Sequence, residues 1–230
     1  MASGRVSVGT KTVVVHDCEL HGDITLGSGT ILQPRCTIIA HGGPIIFGQN
    51  NIVEETAVIV NRRKEPLIIG DGNLFEVGCR IESPTIGSHN TFGIKSRTSP
   101  HVAVGSHCVI GAGCVVLPSP FFSPPQLPTP TEPEAPPSDT SMADPSSSPS
   151  ASPAPTSSSD LPPSATPCTP SSSSEPPTHE SLPDHTHVFG SENRRRTASG
   201  EGTGQAKALF VKHWEYLRET LPKYNKLKMF

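Results

Sequence analysis

Histidine and cysteine are the side chains of this 230-residue chain that could bind a metal ion or take part in acid–base catalysis. Imidazole nitrogens are zinc ligands, and a single histidine can serve as a general base. Six histidines precede Pro118: His16, His21, His41, His89, His101 and His107. Four of these, His41, His89, His101 and His107, stand three positions after a member of the six-residue series described below. That position predicts outward corners, where imidazoles do not converge, so we predict no metal site and no catalytic residue.

Five of the six cysteines occupy one position of the same series, four residues after an apolar one. They are Cys18, Cys36, Cys79, Cys108 and Cys114. The chain has no C-x2-C pair of the kind that binds zinc. We therefore expect these cysteines to be small, buried and unreactive core residues, which suits a reducing cytosol.

A six-residue apolar period extends over the first half of the chain. Such a period fits neither an amphipathic helix nor an alternating strand, but it is typical of a parallel β-helix built from hexapeptides. One apolar residue of each hexad would point into the tube. The predicted core residues are Val8, Val14, Leu20, Leu26, Leu32, Ile38, Phe47, Val53, Ile59, Ile69, Phe75, Ile81, Ile86, Phe92, Val104, Ile110 and Val116.

Within the long runs, most glycines that follow the apolar residue recur every three hexads, which predicts triangular coils, about six over residues 5–117. Three extra residues after Ile38 and four after Ile59 predict loops at corners. Asn51, Asn73 and Asn90 share one phase, so we expect them to stack in a hydrogen-bonded ladder.

The composition changes at Pro118, after which proline, serine and threonine dominate until about His187. Such a segment cannot bury enough apolar surface to offset its ordering entropy, so we predict a disordered insertion over 118–187. The triplet Val188–Gly190 resembles the earlier corners, and 188–204 is predicted to complete the last coil and to form a basic loop. Three arginines precede Thr197 in that loop, which makes this threonine a candidate phosphorylation site.

The C-terminal residues 205–230 are predicted to form a helix that packs on the β-helix. Its apolar stripe, Phe210, Trp214, Leu217 and Leu221, follows helical spacing. A single helix of this length is marginal alone, and the ends of a solenoid expose unpaired strand edges. The flank or the end of the tube is therefore the expected docking surface.

Four stretches of the chain are similar to the dynactin subunit 6 family of hexapeptide-repeat proteins. They are His21–Gly27, Gly43–Glu55, Asn73–Cys79 and a terminal set formed by Leu217, Leu221–Pro222, Tyr224 and Leu227–Lys228. The resemblance covers about 5–117 and 188–230, and the last set lies outside any repeat. The Pro/Ser-rich insertion departs from the pattern of the family.

The resemblance implies an all-β, left-handed parallel β-helix of about six to seven coils with a C-terminal α-helix. It also implies a non-catalytic structural subunit of the dynactin pointed-end complex, which supports dynein-driven transport along microtubules. The implied partners are dynactin subunit 5, subunit 4 and the pointed-end actin-related protein, in the cytoplasm and cytoskeleton. No cofactor is implied. The net charge of −3 and the lack of a long apolar stretch indicate neither nucleic-acid binding nor membrane insertion.

Enzymes with the same repeat offer an alternative function. A gamma-class carbonic anhydrase needs two histidines five residues apart after a corner, and the corresponding stretch Phe75–Glu82 has none. A hexapeptide-repeat acyltransferase would use one histidine as general base, and none of the six stands in a recognisable catalytic context. A structural homotrimer agrees with the repeat but not with the terminal similarity.

Overall fold

The computed structural model describes residues 4–120 and 179–230, which form 21 short strands and one helix. The first sheet contains β1 (Val6–Val8), β4 (Ile24–Leu26), β7 (Ile45–Phe47), β10 (Leu67–Ile69), β13 (Thr85–Ile86), β16 (Val102–Val104) and β19 (Glu180–Leu182). The second contains β2 (Val13–Val14), β5 (Ile31–Leu32), β8 (Ile52–Val53), β11 (Leu74–Phe75), β14 (Thr91–Phe92), β17 (Val109–Ile110), β20 (Thr186–Phe189) and β21 (Arg194–Thr197). The third contains β3 (Glu19–His21), β6 (Thr37–Ala40), β9 (Val58–Asn61), β12 (Arg80–Ile81), β15 (Arg97–Thr98) and β18 (Val115–Val116). The helix α1 spans Thr203–Tyr224.

Each coil of the chain contributes one strand to each sheet, and successive coils pair in parallel. Ile46 of β7, for example, lies beside Ile68 of β10. The strand order gives six complete coils and two strands of a seventh. The predicted parallel β-helix of hexapeptide repeats is therefore confirmed.

The hexad phase places the apolar residues inside the tube. Of the 17 predicted core residues, all except Val8 and Leu20 are buried. These two are half-buried and lie in the first coil, where a neighbouring coil exists on one side only. The rings of Phe75 and Phe92 stack at 4.9 Å between adjacent coils.

The five cysteines and three asparagines of the repeat are also internal. The cysteines are buried and unpaired, and burial raises the pKa of the Cys79 thiol to about 12. The Asn51 Oδ1 atom accepts hydrogen bonds from the backbone and side-chain nitrogens of Asn73, each at 3.0 Å. The Oδ1 atom of Asn73 accepts from the Asn90 N–H at 2.9 Å, and that of Asn90 accepts from the Cys108 N–H at 2.7 Å. The ladder supplies acceptors to backbone groups at one corner.

The predicted boundary of the insertion at residue 187 is wrong. β19 and the start of β20 lie inside the range 118–187, and Glu180–Leu182 pairs in register with Val102–Val104. The edge of β16 offers backbone donors and acceptors whatever the side chains are, so a polar segment can complete the sheet. Residues 121–178 of the predicted insertion lie outside the described part of the chain.

Two further expectations for the C-terminal region need correction. The predicted basic loop contains β21, which pairs antiparallel with β20 from Thr186–Thr197 to Phe189–Arg194. The helix spans Thr203–Tyr224 rather than 205–230, and it includes Pro222. A proline in the last turn removes one N–H donor without preventing a short continuation. The chain then extends, and Leu227 bridges to Val15.

Candidate interaction surfaces

One row of outward residues on the second sheet is apolar and covered. Val13, Ile31 and Ile52 point away from the tube, because their neighbours Val14, Leu32 and Val53 point into it. All three outward residues are nevertheless buried, and Leu74 is half-buried. Helix α1 contacts β2 and β5, so it supplies the cover.

The docked face of the helix is the predicted stripe. Leu217 and Leu221 are buried, whereas Phe210 and Trp214 are half-buried against the core. The Trp214 Nε1–H donates a hydrogen bond of 2.6 Å to the Gly29 carbonyl. A Cβ at Gly29 would lie 3.0 Å from Trp214 and 2.2 Å from Asn50 Oδ1, and the residue has φ of +72°. Glycine is thus needed at this corner both for the backbone conformation and for the approach of the indole.

Beside the docked stripe, the helix also makes a polar contact with the tube. The His213 Nε2 atom lies 3.3 Å from Glu54 Oε1. Burial raises the pKa of Glu54, and the neighbouring Glu76 carboxylate raises it further, while His213 opposes both effects. This contact joins residues 159 positions apart in the sequence, so no local pattern could have predicted it.

The residues after the helix tie the C-terminus to the first coils. The His16 N–H donates to the Lys226 carbonyl, and the Lys228 N–H donates to the Val14 carbonyl, both at 2.8 Å. The Lys228 Nζ atom also donates to the Cys18 carbonyl at 2.8 Å. The C-terminal segment therefore covers backbone groups that the first coil would otherwise leave unpaired.

The opposite end of the tube is closed by β21 and by Arg195. One nitrogen of the Arg195 guanidinium pairs with Glu180 Oε1 at 2.7 Å, and another donates to the Leu117 carbonyl. Glu180 Oε2 also accepts from the Ser119 N–H. Burial raises the pKa of Glu180, but these hydrogen bonds outweigh it and hold the pKa below its usual value. The pair joins the two chain segments on either side of residues 121–178.

Thr197, the candidate phosphorylation site, is exposed at the end of β21 and lies opposite Thr186. Its backbone is held in the antiparallel pair, because the following Ala198 N–H donates to the His185 carbonyl at 2.8 Å. Phosphorylation of Thr197 stays a prediction.

Three histidines line one outer corner of the tube as a stack of rings. His89, His107 and His185 lie at one corner in successive coils, with ring centroids 5.2 and 4.9 Å apart. Their rings stack in parallel, so their nitrogens do not converge on one point. Within residues 4–120 and 179–230, no three histidine, cysteine or acidic side chains are placed to hold a metal ion. Among the described residues, one shallow depression is lined by Phe189, Gly190 and Arg194 and another by Leu182, Thr186 and Arg195, and no histidine lines either.

The sequence is similar to proteins of the same name from several organisms. It is 37% identical over 123 residues to dynactin subunit 6 of Nematostella vectensis, covering 49% of this chain and 67% of that protein. The chain belongs to the dynactin subunit 6 family. Dynactin subunit 6 of Danio rerio is 34% identical over 48% of this chain, and that of Dictyostelium discoideum is 44% identical over 46%. These matches span 63% and 57% of the two relatives, which is less than two thirds of their length.

Two other comparisons add little to the assignment. No family model matches the chain. A UDP-N-acetylglucosamine acyltransferase of Francisella novicida is a similar solved structure, with a TM-score of 0.38 and 17% identity over 50% of this chain and 52% of that one. No helix in the described ranges is long and apolar enough to cross a membrane.

Proposed function

We propose that this protein is a non-catalytic structural subunit of dynactin, located in the pointed-end complex. Its role would be to present rigid surfaces to dynactin subunit 5, to subunit 4 and to the pointed-end actin-related protein. The complex supports dynein-driven transport of cargo along microtubules, in the cytoplasm and on the cytoskeleton. No step of this function requires a cofactor or a reaction.

The similarity to dynactin subunit 6 of several animals and of an amoeba carries the proposal. The architecture agrees with it in a physical sense. A stacked β-helix with a docked helix is stiff, because each coil is held by neighbouring ladders and by internal side-chain ladders. Stiff extended surfaces suit binding by shape complementarity, and function on such a fold depends on the surface residues rather than on the fold itself.

Affinity purification of the full-length tagged chain from cells tests the proposal. The expected result is recovery of dynactin subunits in a constant ratio to the tagged chain. A homotrimer with stoichiometric zinc and no dynactin subunit would refute it in favour of an enzyme. Measurement of the zinc content and of the molar mass of the purified chain distinguishes the two results.

A further inference from the structure

The three outer faces of the tube differ in what covers them. The outward row of the second sheet is apolar in its first coils, where helix α1 lies against β2 and β5. The outward row of the third sheet carries the charged residues Glu19, Arg80 and Arg97. The outward row of the first sheet contains no charged residue at all: Ser7, Thr25, Ile46, Ile68, Thr85, Ala103 and Ser181. Among the described residues, the first sheet therefore has an uncharged row along its whole length, and helix α1 lies on the second sheet instead.

The centre of that row is apolar and exposed. Ile46 and Ile68 lie side by side with 39% and 51% of their surface exposed. Two residues before each of them, and on the same side of the strand, stand the exposed Pro44 and Pro66. The Leu67 N–H donates to the Pro44 carbonyl at 2.9 Å, which holds the two prolines beside each other. We name these four residues the Pro–Ile patch.

The two enlarged corners predicted from the breaks in the repeat border this patch. Asn61 is buried, and its Nδ2 atom donates to the carbonyls of Gly43, Pro44 and Glu65 at 2.9 to 3.1 Å. Its Oδ1 atom accepts from the Arg63 N–H at 3.0 Å. One side chain thus fixes both corner loops relative to the Pro–Ile patch. Within the described part of the chain, the regular hexads contain no side chain that links the corner loops of two adjacent coils in this way.

The second corner loop also gives the patch a basic rim. It carries Arg62, Arg63 and Lys64 in succession. Arg63 pairs with Glu65 at 3.0 Å and Arg62 with Glu82 at 3.8 Å. Lys64 is exposed and forms no ion pair within the described ranges. A partner on this face would therefore match it best with an uncharged apolar centre and an acidic border.

We propose that the Pro–Ile patch and its basic rim are the surface on which this chain docks to another dynactin subunit, an inference that rests on the proposed function. The occupant is a different protein with an acidic rim, not a second copy. Seven strands at ~4.8 Å and three residues of ~3.3 Å each make a face of roughly 300 Å². A stable two-body interface needs about 800 Å² per partner. The face is too small for a dimer of its own but sufficient as one contact within a larger assembly.

Substitutions at exposed positions test this inference without disturbing the core. Tagged full-length chains carrying Ile46→Asp or Ile68→Asp are recovered from cells, and the dynactin subunits per mole of chain are measured by mass spectrometry. Each variant is expected to recover at least tenfold less than the wild type. The matched control is Val109→Asp, since Val109 is an outward, exposed valine on the second sheet. The control is expected to recover the wild-type amount, and all variants should keep the wild-type thermal transition.

The rim is tested by Lys64→Glu, which should reduce recovery severalfold, with Lys212→Glu on the exposed side of helix α1 as the control for net charge. If the wild type recovers no dynactin subunit, the proposed function fails. If the wild type recovers them and both isoleucine variants do so equally well, the function stands and the docking surface is refuted. Sedimentation velocity of the purified chain tests whether a second copy of the chain occupies the face instead. A dimer that Ile46→Asp dissociates would mean that a second copy covers the face, and would also overturn the inference.

Discussion

Replacement of Leu217 by alanine should loosen helix α1 without unfolding the tube. The helix buries Leu217 and Leu221 and half-buries Phe210 and Trp214. At about 1.5–3 kcal/mol for each fully buried side chain, and half of that for the other two, the docked stripe contributes roughly 5–9 kcal/mol before ordering costs. Leucine-to-alanine changes at buried sites cost about 2–5 kcal/mol. The lower part of that range applies here, since a surface helix can shift to fill part of the space.

Hydrogen–deuterium exchange of the helical amides measures this loss directly. A decrease of about 2–3 kcal/mol in the free energy of local opening corresponds to exchange roughly 30–150 times faster, at 1.4 kcal/mol per factor of ten. Amides of the inner strands should keep their wild-type rates, because these strands are held by ladders on both sides. The matched control is Tyr216→Ala, at the adjacent position on the exposed side of the helix.

The exchange pattern can refute the reasoning in two ways. Wild-type rates in the Leu217→Ala helix would mean that the stripe does not hold the helix on the second sheet. Equal acceleration in Tyr216→Ala would mean that helix propensity, rather than packing, controls the opening. The stronger variant Leu217→Asp adds a charge that the docked position cannot solvate, so it should detach the helix and weaken incorporation into dynactin.

Ile110→Asp should abolish cooperative folding, since a buried unpaired carboxylate costs several kcal/mol, whereas His107→Asn on the same coil should shift the thermal midpoint only slightly. Asparagine is the better control than alanine, because His107 has φ of +57° and asparagine tolerates that region. Equal midpoints would overturn the inward register. Glu180→Gln should lower stability at pH 7 and flatten its acid dependence: the depressed pKa gives the wild type stability that is present above about pH 4.3 and lost as pH falls through the folded pKa. Urea titrations from pH 2.5 to 7 measure this, and parallel curves for the two proteins would contradict it. Deletion of 124–176 should leave the thermal transition nearly unchanged, because loop closure costs only ~0.6 kcal/mol per doubling of length. A deletion extended to 184 should lower the midpoint by removing β19, and calorimetry compares the two.

The limit of what could be predicted is clearest at the second sheet. The alternation within each hexad indicates that Val13, Ile31 and Ile52 point outward, and their apolar character in consecutive coils is a signal for a covered face. The inward residues alone do not distinguish docking of the helix on the flank of the tube from docking at its end. The same signal at Ile46 and Ile68 is present in the sequence, but only the structure establishes that these two side chains are exposed.

The strands that follow residues 121–178 begin earlier than apolar spacing predicts, for a related reason. Glu180 and Ser181 are polar, and a reading based on apolar spacing does not detect strands whose side chains are polar. Their pairing with β16 depends on backbone hydrogen bonds that any residue can form. The charge of the arginine run likewise predicts a basic loop, whereas its place as an edge strand depends on the unpaired edge of β20.

The sequence by itself determined the coil and its register. With a period of six and one apolar residue per hexad, each inward position must stack on its equivalent one coil away, which fixes the inward register but not the hand of the coil. The tertiary structure decided everything that joins residues outside that period. The contacts of Trp214 with Gly29, of His213 with Glu54 and of Arg195 with Glu180 connect segments whose spacing no local rule relates. Such contacts depend on where the solenoid leaves apolar faces and unpaired edges, and these exist only after the coils have stacked.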